Sequence, residues 1–332
     1  MKKVVVIGGG TGTTSVLSGL KRNKDIELSV IVSMTDDGGS NAVIQDEFGL
    51  LPLGDLRKSI LALAEVGRED TVLQKLFTYR FDKGNGLSGH TLGSLIMIAL
   101  SDIAGSEVGA ISAVSEIFHA RGQVIPVTLE HACLVADYDS GKKVQGEHLI
   151  DEPPLTENTG RIIQLSITPQ VQAYAPALQA IAEADYIIAG PGDLYTTTLA
   201  NIIVGGIAEA IQKSKAKFIF INNLMSKRGQ TNGYKASDLV NETAKYAGRV
   251  PDVVIQHAGS ISAEAVKKYQ ERGEERIEDD LIESAVCRVV RADIAFKKEV
   301  AQDKGDTLAR SLIRHDGDKL AQVLNKILQQ KE

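Results

Sequence analysis

Tryptophan is absent from this chain, and only two cysteines occur in its 332 residues. Cys133 and Cys287 lie in apolar, strand-like contexts without metal-ligand spacing, so no disulfide framework is expected and buried, reduced thiols are. The six histidines show no pairing at ligand spacing, which leaves a metal centre without support. Basic residues are in deficit, 37 Lys and Arg against 43 Asp and Glu, for a formal net charge of -6. That balance disfavours a general nucleic-acid or anionic-membrane binder. No long all-apolar run occurs, so membrane insertion is not expected. The N-terminus leads straight into a strand-like run, with no room for a signal peptide, and a cytoplasmic location is expected. Also missing are a Ser-His-Asp order in recognisable local context, a cysteine nucleophile motif and a P-loop lysine. What remains reads as a site that holds a ligand, with no dedicated nucleophile.

What is present is an ordinary globular composition, 43% hydrophobic and 24% charged, enough for a substantial core. Strand-like runs at 3–7, 28–33, 184–189, 217–222, 253–256 and 285–290 alternate with helical patterns at 13–22, 54–64, 70–79, 90–103, 107–119, 196–213, 236–247 and 307–329, the last interrupted near 316–317. Such alternation predicts an α/β, Rossmann-like fold with a mostly parallel, doubly wound sheet covered on both faces. Residues 123–168 differ: short runs around a turn at Asp139-Ser140-Gly141 predict antiparallel strands, a β-rich insertion. The charged stretch 267–280 is expected to be a solvated surface element, with Tyr269 its only aromatic residue.

Chemistry is concentrated in loops that follow strands. Val4–Ile7 runs into Gly8-Gly9-Gly10-Thr11-Gly12-Thr13 and then a helical pattern, the construction that seats phosphate on main-chain N–H groups. The dinucleotide fingerprint fails at its third glycine, where Thr13 stands, and no acidic residue ends the second strand. Hydride chemistry is therefore disfavoured, although nicotinamide dinucleotide binding stays open. The loop Thr35-Asp36-Asp37-Gly38-Gly39-Ser40-Asn41 offers two carboxylates between glycines, suited to a divalent cation, to sugar or base donors, or to an Asx turn. In Gly54-Asp55-Leu56-Arg57-Lys58, Asp55 can cap a helix, while Arg57 and Lys58 sit where the helix dipole disfavours cations unless they face an anion. His90, opening an apolar helix, is either a ligand contact or locally bonded.

A second anion seat is Gly190-Pro191-Gly192-Asp193-Leu194-Tyr195, which follows a strand and feeds a run of hydroxyls, Thr196, Thr197 and Thr198. The polar loop from Asn222 to Thr231 carries Lys227 and Arg228 past another strand end, a position that favours facing the same crevice.

Together the loops at 8–12, 34–40, 54–58, 89–93 and 190–196 resemble those of the bacterial gluconeogenesis factor family (YvcK-type), within the superfamily of the phospholactate transferase CofD of deazaflavin coenzyme synthesis. The resemblance spans nearly the whole chain and implies one CofD-like domain over 1–332. It implies binding of UDP-sugars, notably UDP-N-acetylglucosamine, and a role in growth on gluconeogenic carbon sources, cell shape and peptidoglycan precursor supply, without turnover. A further family-like stretch, Leu312-Ile313-Arg314-His315-Asp316, makes Arg314 a bidentate partner for a diphosphate, and Tyr269 would stack on uracil or line the site. Where many relatives carry a hydroxyl after Arg-His-Asp this chain has Gly317, so phosphorylation there is not expected.

In that reading Gly9, Gly10, Thr11, Gly12 and Thr13, with Gly190 to Asp193, cradle phosphates. Arg314 and Arg57 neutralise charge, and Asp36, Asp37 and Asp193 read hydroxyls or base. Gly38, Asn41, Asp55, His90, Tyr195, Asn222 and Tyr269 complete the candidate site. A regulatory protein partner and self-association belong to the same expectation. One alternative is a transferase acting on a nucleotide-diphosphate intermediate, with Mg²⁺ on Asp36 and Asp37; the other is NAD binding.

Overall fold

The structure, a computed structural model, describes residues 1–65, 70–84, 86–154, 160–296 and 311–330. Its centre is a parallel sheet of β1 (Lys2–Gly8), β2 (Ile26–Val32), β3 (Gln123–Pro126), β7 (Tyr186–Ala189), β8 (Lys217–Ile221), β9 (Val253–His257) and β10 (Arg288–Ala292). The order is β10-β9-β8-β7-β1-β2-β3. The inner strands are continuous apolar runs because helices cover both faces: β7 and β9 are buried at every residue, and β1 from Val4 onward. From β1 the chain builds outward to β2 and β3, then returns to the other side of β1 with β7 and continues to β10. The order reverses between β1 and β7, and in an open α/β sheet a ligand crevice forms at the carboxyl ends of the strands where this happens.

The antiparallel strands expected over 123–168 form only in part. β4 (Cys133–Tyr138), β5 (Lys143–Gln145) and β6 (Ile162–Thr168) make a separate antiparallel sheet, order β5-β4-β6, followed in the chain after β5 by the short helix Glu147–Asp151. β3 does not belong to it. Val124, Ile125 and Pro126 are all buried and pair in parallel with β2 as the edge of the main sheet. An unbroken apolar run of this kind marks a strand covered on both faces.

Three further expectations change. The helix expected over 196–213 is broken into a π-helical segment Leu194–Leu199, a turn Ala200–Ile202 and the helix Ile207–Lys213, the last starting after Gly206 in the left-handed region (φ 94°). The stretch 267–280 is not a solvated element throughout, since helix Ala263–Gln270 and the return after it bury Tyr269, Glu274 and Ile277. Cys133 and Cys287 are free thiols, but half-buried rather than buried. Of the expected C-terminal helix, residues 307–310 lie outside the described residues, and the helix itself is Gly317–Gln329. Among the described residues no single helix is long and apolar enough to cross a membrane.

That last helix starts where Asp316 accepts from the N–H groups of Asp318 and Lys319, and it lays Leu320, Leu324, Ile327 and Leu328 into the core. It packs against helix Gly10–Leu20, the helix that follows the first glycine turn, so closely that a Cβ on Gly19 would overlap the carbonyl of Gly317. Gly19→Val should therefore cost about 3 kcal/mol by overpacking. Urea unfolding measures it; a midpoint equal to wild type would show that the two helices separate freely.

Candidate functional site

At the reversal between β1 and β7, a cavity of about 570 Å³ opens over the carboxyl ends of the strands. Its floor is made by two glycine turns. The turn after β1 brings Gly9, Gly10, Thr11 and Gly12, and the turn after β7 brings Pro191, Gly192 and Asp193. They meet directly, because a Cβ on Gly12 would overlap the Pro191 carbonyl oxygen. Gly190 reaches this turn in the left-handed region, φ 76°, open to glycine without strain. Asp36, Gly38, Asp55, Tyr269 and Arg314 also line the cavity, so the structure brings twelve of the expected residues together, counting the seven of the two turns.

The remaining eight do not line the cavity. Thr13 is fully buried with its Oγ1 tucked beneath Gly8, so the fingerprint's missing third glycine is matched by a glycine on the strand side. Asp37 accepts from the main-chain N–H groups of Glu147 (3.1 Å) and His148 (2.8 Å), pinning the short insertion helix. Asn41 Nδ2 donates to Asp36 Oδ2 at 2.7 Å, and His90 Nδ1 bonds Ser40 Oγ at 2.7 Å. Arg57 does not line the cavity: it is buried, its guanidinium donating to Phe77 O at 3.4 Å. Tyr195 is buried against Tyr234, hydroxyl to hydroxyl at 2.8 Å. Gly190 leads into the second turn without lining the cavity. Asn222 points inward to Gln256 Oε1 (2.8 Å), whereas its neighbour Asn223 lines the cavity and donates to Gly192 O at 2.7 Å. Successive residues of an extended chain face opposite ways, so the expected asparagine was one residue early.

The electrostatics are unusual for an anion site. The N–H of Gly10, the first donor of the helix, is already bound by Asp55 Oδ2 at 2.7 Å, and Asp55 Oδ1 holds Lys58 at 2.8 Å. Burial raises the Asp36 carboxyl, and the neighbouring charge of Asp55 raises it further. Glu147, brought in by the insertion, stands well above the usual carboxylate range through burial and the charges of Asp151, Asp36, Asp37 and Asp55. Across the cavity Lys227 Nζ lies 3.1 Å from Asp151 and 3.7 Å from Asp193. Burial opposes its charge, yet these two carboxylates hold it above its ordinary value. Burial pushes Asp193 up to about 6 against the pull of Lys227. Asp151 is further fixed by Thr196 Oγ1 (3.0 Å) and Gln230 Nε2 (2.9 Å). The guanidinium of Arg228 donates to the carbonyls of Pro153 and Pro154. Lys227 and Arg228 were legible as a loop past a strand end. Glu147 and Asp151 had no local signal, because only the docking of the insertion brings them here.

The Asp36 and Asp37 pair, which the transferase alternative would give to Mg²⁺, is already hydrogen-bonded within the protein. Both Asp37 oxygens accept main-chain N–H groups, and the Asp36 oxygens accept from Gly38 N (3.0 Å) and Asn41. Among the described residues no three acidic, histidine or cysteine side chains converge as metal ligands.

A parallel sheet reversing over two apposed glycine turns defines a Rossmann-like α/β protein with a crevice at the reversal. The chain belongs to the CofD family, described as 2-phospho-L-lactate transferase CofD, which it matches over residues 4–295. It is 38% identical over 325 residues to a Thermotoga maritima protein named putative gluconeogenesis factor, covering 98% of this chain and 99% of that one. It is 34% identical over 330 residues to the Bacillus subtilis gluconeogenesis factor, covering 99% and 98%. A crystal structure of a Bacillus halodurans protein superposes with a TM-score of 0.87 at 32% identity, over 98% of this chain and 99% of that one.

Lys227 sits between two carboxylates that would otherwise repel, and none of the three side chains is fully enclosed. Lys227→Met should thus cost about 2 kcal/mol at pH 7.5, less than the loss of a fully buried partner. The cost should shrink at pH 5, where Asp193, titrating at about 6, is protonated in the folded protein and the repulsion is relieved. Urea unfolding at the two pH values checks this, and an equal loss at both would refute the arrangement.

Proposed function

We propose that this protein is a cytoplasmic UDP-sugar-binding regulatory protein, with UDP-N-acetylglucosamine as its ligand. It supports growth on gluconeogenic carbon sources and, through peptidoglycan precursor supply, normal cell shape. One observation carries the ligand class: a cavity of about 570 Å³ over two apposed glycine turns, lined by carboxylates throughout and by a cluster of lysine and arginine at one end. That volume suits a nucleotide sugar, and a hydroxyl-rich ligand with a diphosphate needs both kinds of group. The name gluconeogenesis factor, carried by relatives matched along nearly their full length, supports the physiological part. Regulation requires that the ligand bind two states unequally. The insertion supplies that possibility, since its Asp151 is tied to Lys227 on the far wall.

The second reading, a group transferase, is favoured by the description of the matched family. Calorimetric titration with UDP-N-acetylglucosamine, followed by recovery of the nucleotide, separates the two. Binding with unchanged ligand is the expected result; consumption of the nucleotide favours the transferase, and no binding overturns the UDP-sugar assignment. The affinity should rise as pH falls from 7.5 to 5.5. Asp193 loses its negative charge at about 6 while Lys227 stays protonated, so the site becomes more favourable to an anion. Affinity independent of pH would place the phosphates away from Asp193.

A further inference from the structure

Strand order gathers most of the cavity's cations at one end, where carboxylates accompany them. The segments after β1 and β2, with the elements packed on them, bring Asp36, Asp55 and Glu147, opposed by Lys58. The segments after β8 and β9 bring Lys227, Arg228 and Arg272, opposed by Asp193 and Glu274 and by Asp151 and Glu152 of the insertion. At the first glycine turn, the obvious phosphate seat by sequence, the leading donor is already taken, because the Gly10 N–H is bound to the Asp55 carboxylate at 2.7 Å. A phosphate there would displace a tethered anion and lie beside Asp36. At the other end the cations differ in how far they are already engaged. Lys227 is paired with Asp151, the Arg228 guanidinium is held by the Pro153 and Pro154 carbonyls, and Arg314 Nε donates to Ser311 O at 3.1 Å. Arg272 lines the rim with an exposed side chain whose guanidinium forms no ion pair or hydrogen bond among the described residues.

We infer that Arg272 is the diphosphate-binding residue at the β9 end of the cavity, and that Asp55 reserves the first glycine turn for the hydroxyl-bearing part of the ligand. This deepens the UDP-sugar reading and rests on it for the identity of the ligand, but the gathering of cations does not. The ligand then lies along the strand ends, phosphates over the β8 and β9 side and hydroxyls toward Asp36 and Asp55. A guanidinium suits this task because it presents a planar fork of donors to phosphate oxygens.

The test is calorimetric titration of the full chain with UDP-N-acetylglucosamine and, separately, with inorganic pyrophosphate. Arg272→Gln should weaken both by roughly tenfold or more, and Arg272→Lys should recover part of the loss. Asp55→Asn should weaken the sugar nucleotide without tightening pyrophosphate. Arg272→Gln binding within twofold of wild type would overturn the assignment. So would an Asp55→Asn variant that binds pyrophosphate fivefold or more tightly, since the first turn would then be the phosphate seat. If wild type binds pyrophosphate through Arg272 but not UDP-N-acetylglucosamine, the inference stands and the UDP-sugar reading falls. If it binds neither, both fall.

Discussion

The absence of a side chain at Gly12 is the constraint on which the site depends. Helix Gly10–Leu20 begins against the carbonyl of Pro191, and any Cβ at Gly12 would push the two turns apart. That contact joins the last residues of β1 to those of β7, across the line where the sheet reverses its order. A crevice at such a line is a general property of open α/β sheets. Its width here follows from a backbone-to-backbone approach that only glycine permits. The same economy recurs behind the floor, where Gly8 leaves room for the fully buried Thr13, and at Gly19, where the C-terminal helix closes over the first.

A cavity floored by glycine turns is usually an invitation to phosphate. Here the invitation is qualified by carboxylates. Asp55 takes the Gly10 N–H, and Asp36 and Glu147 crowd near it with raised proton affinity. Lys227 survives as a cation in a poorly solvated place because Asp151 and Asp193 stand on either side of it. The insertion supplies Glu147 and Asp151, so the antiparallel sheet is part of the site and not an ornament on the fold. Its helix is pinned by Asp37, a residue that a ligand-centred view of the sequence places in the wrong role.

Much of the fold was legible in the chain. Apolar runs of strand length alternating with 3.6-residue periodicity marked the parallel sheet, and glycine–hydroxyl turns marked the loops that floor the cavity. The resemblance carried by five ordered loops agreed with the family match over residues 4–295. Local signals failed where one pattern serves two environments. Val124-Ile125-Pro126 is as apolar as any insertion strand, yet it is the edge of the main sheet. Arg57, at a helix start, looked like a cation awaiting an anion, and it is buried against Phe77.

By itself, then, the sequence determined the fold class, the family and the two glycine turns, because periodicity and turn chemistry act over a few residues and leave a direct trace. Only the tertiary structure decided which loops become neighbours. Asn223 rather than Asn222 faces the cavity, Asp55 fills the first helix end, and Glu147, Asp151 and Arg272 join the wall from distant segments. Those placements depend on the order of strands in the sheet and on where the insertion docks. Both are set by burial between residues far apart in the chain, which leaves no local pattern to read.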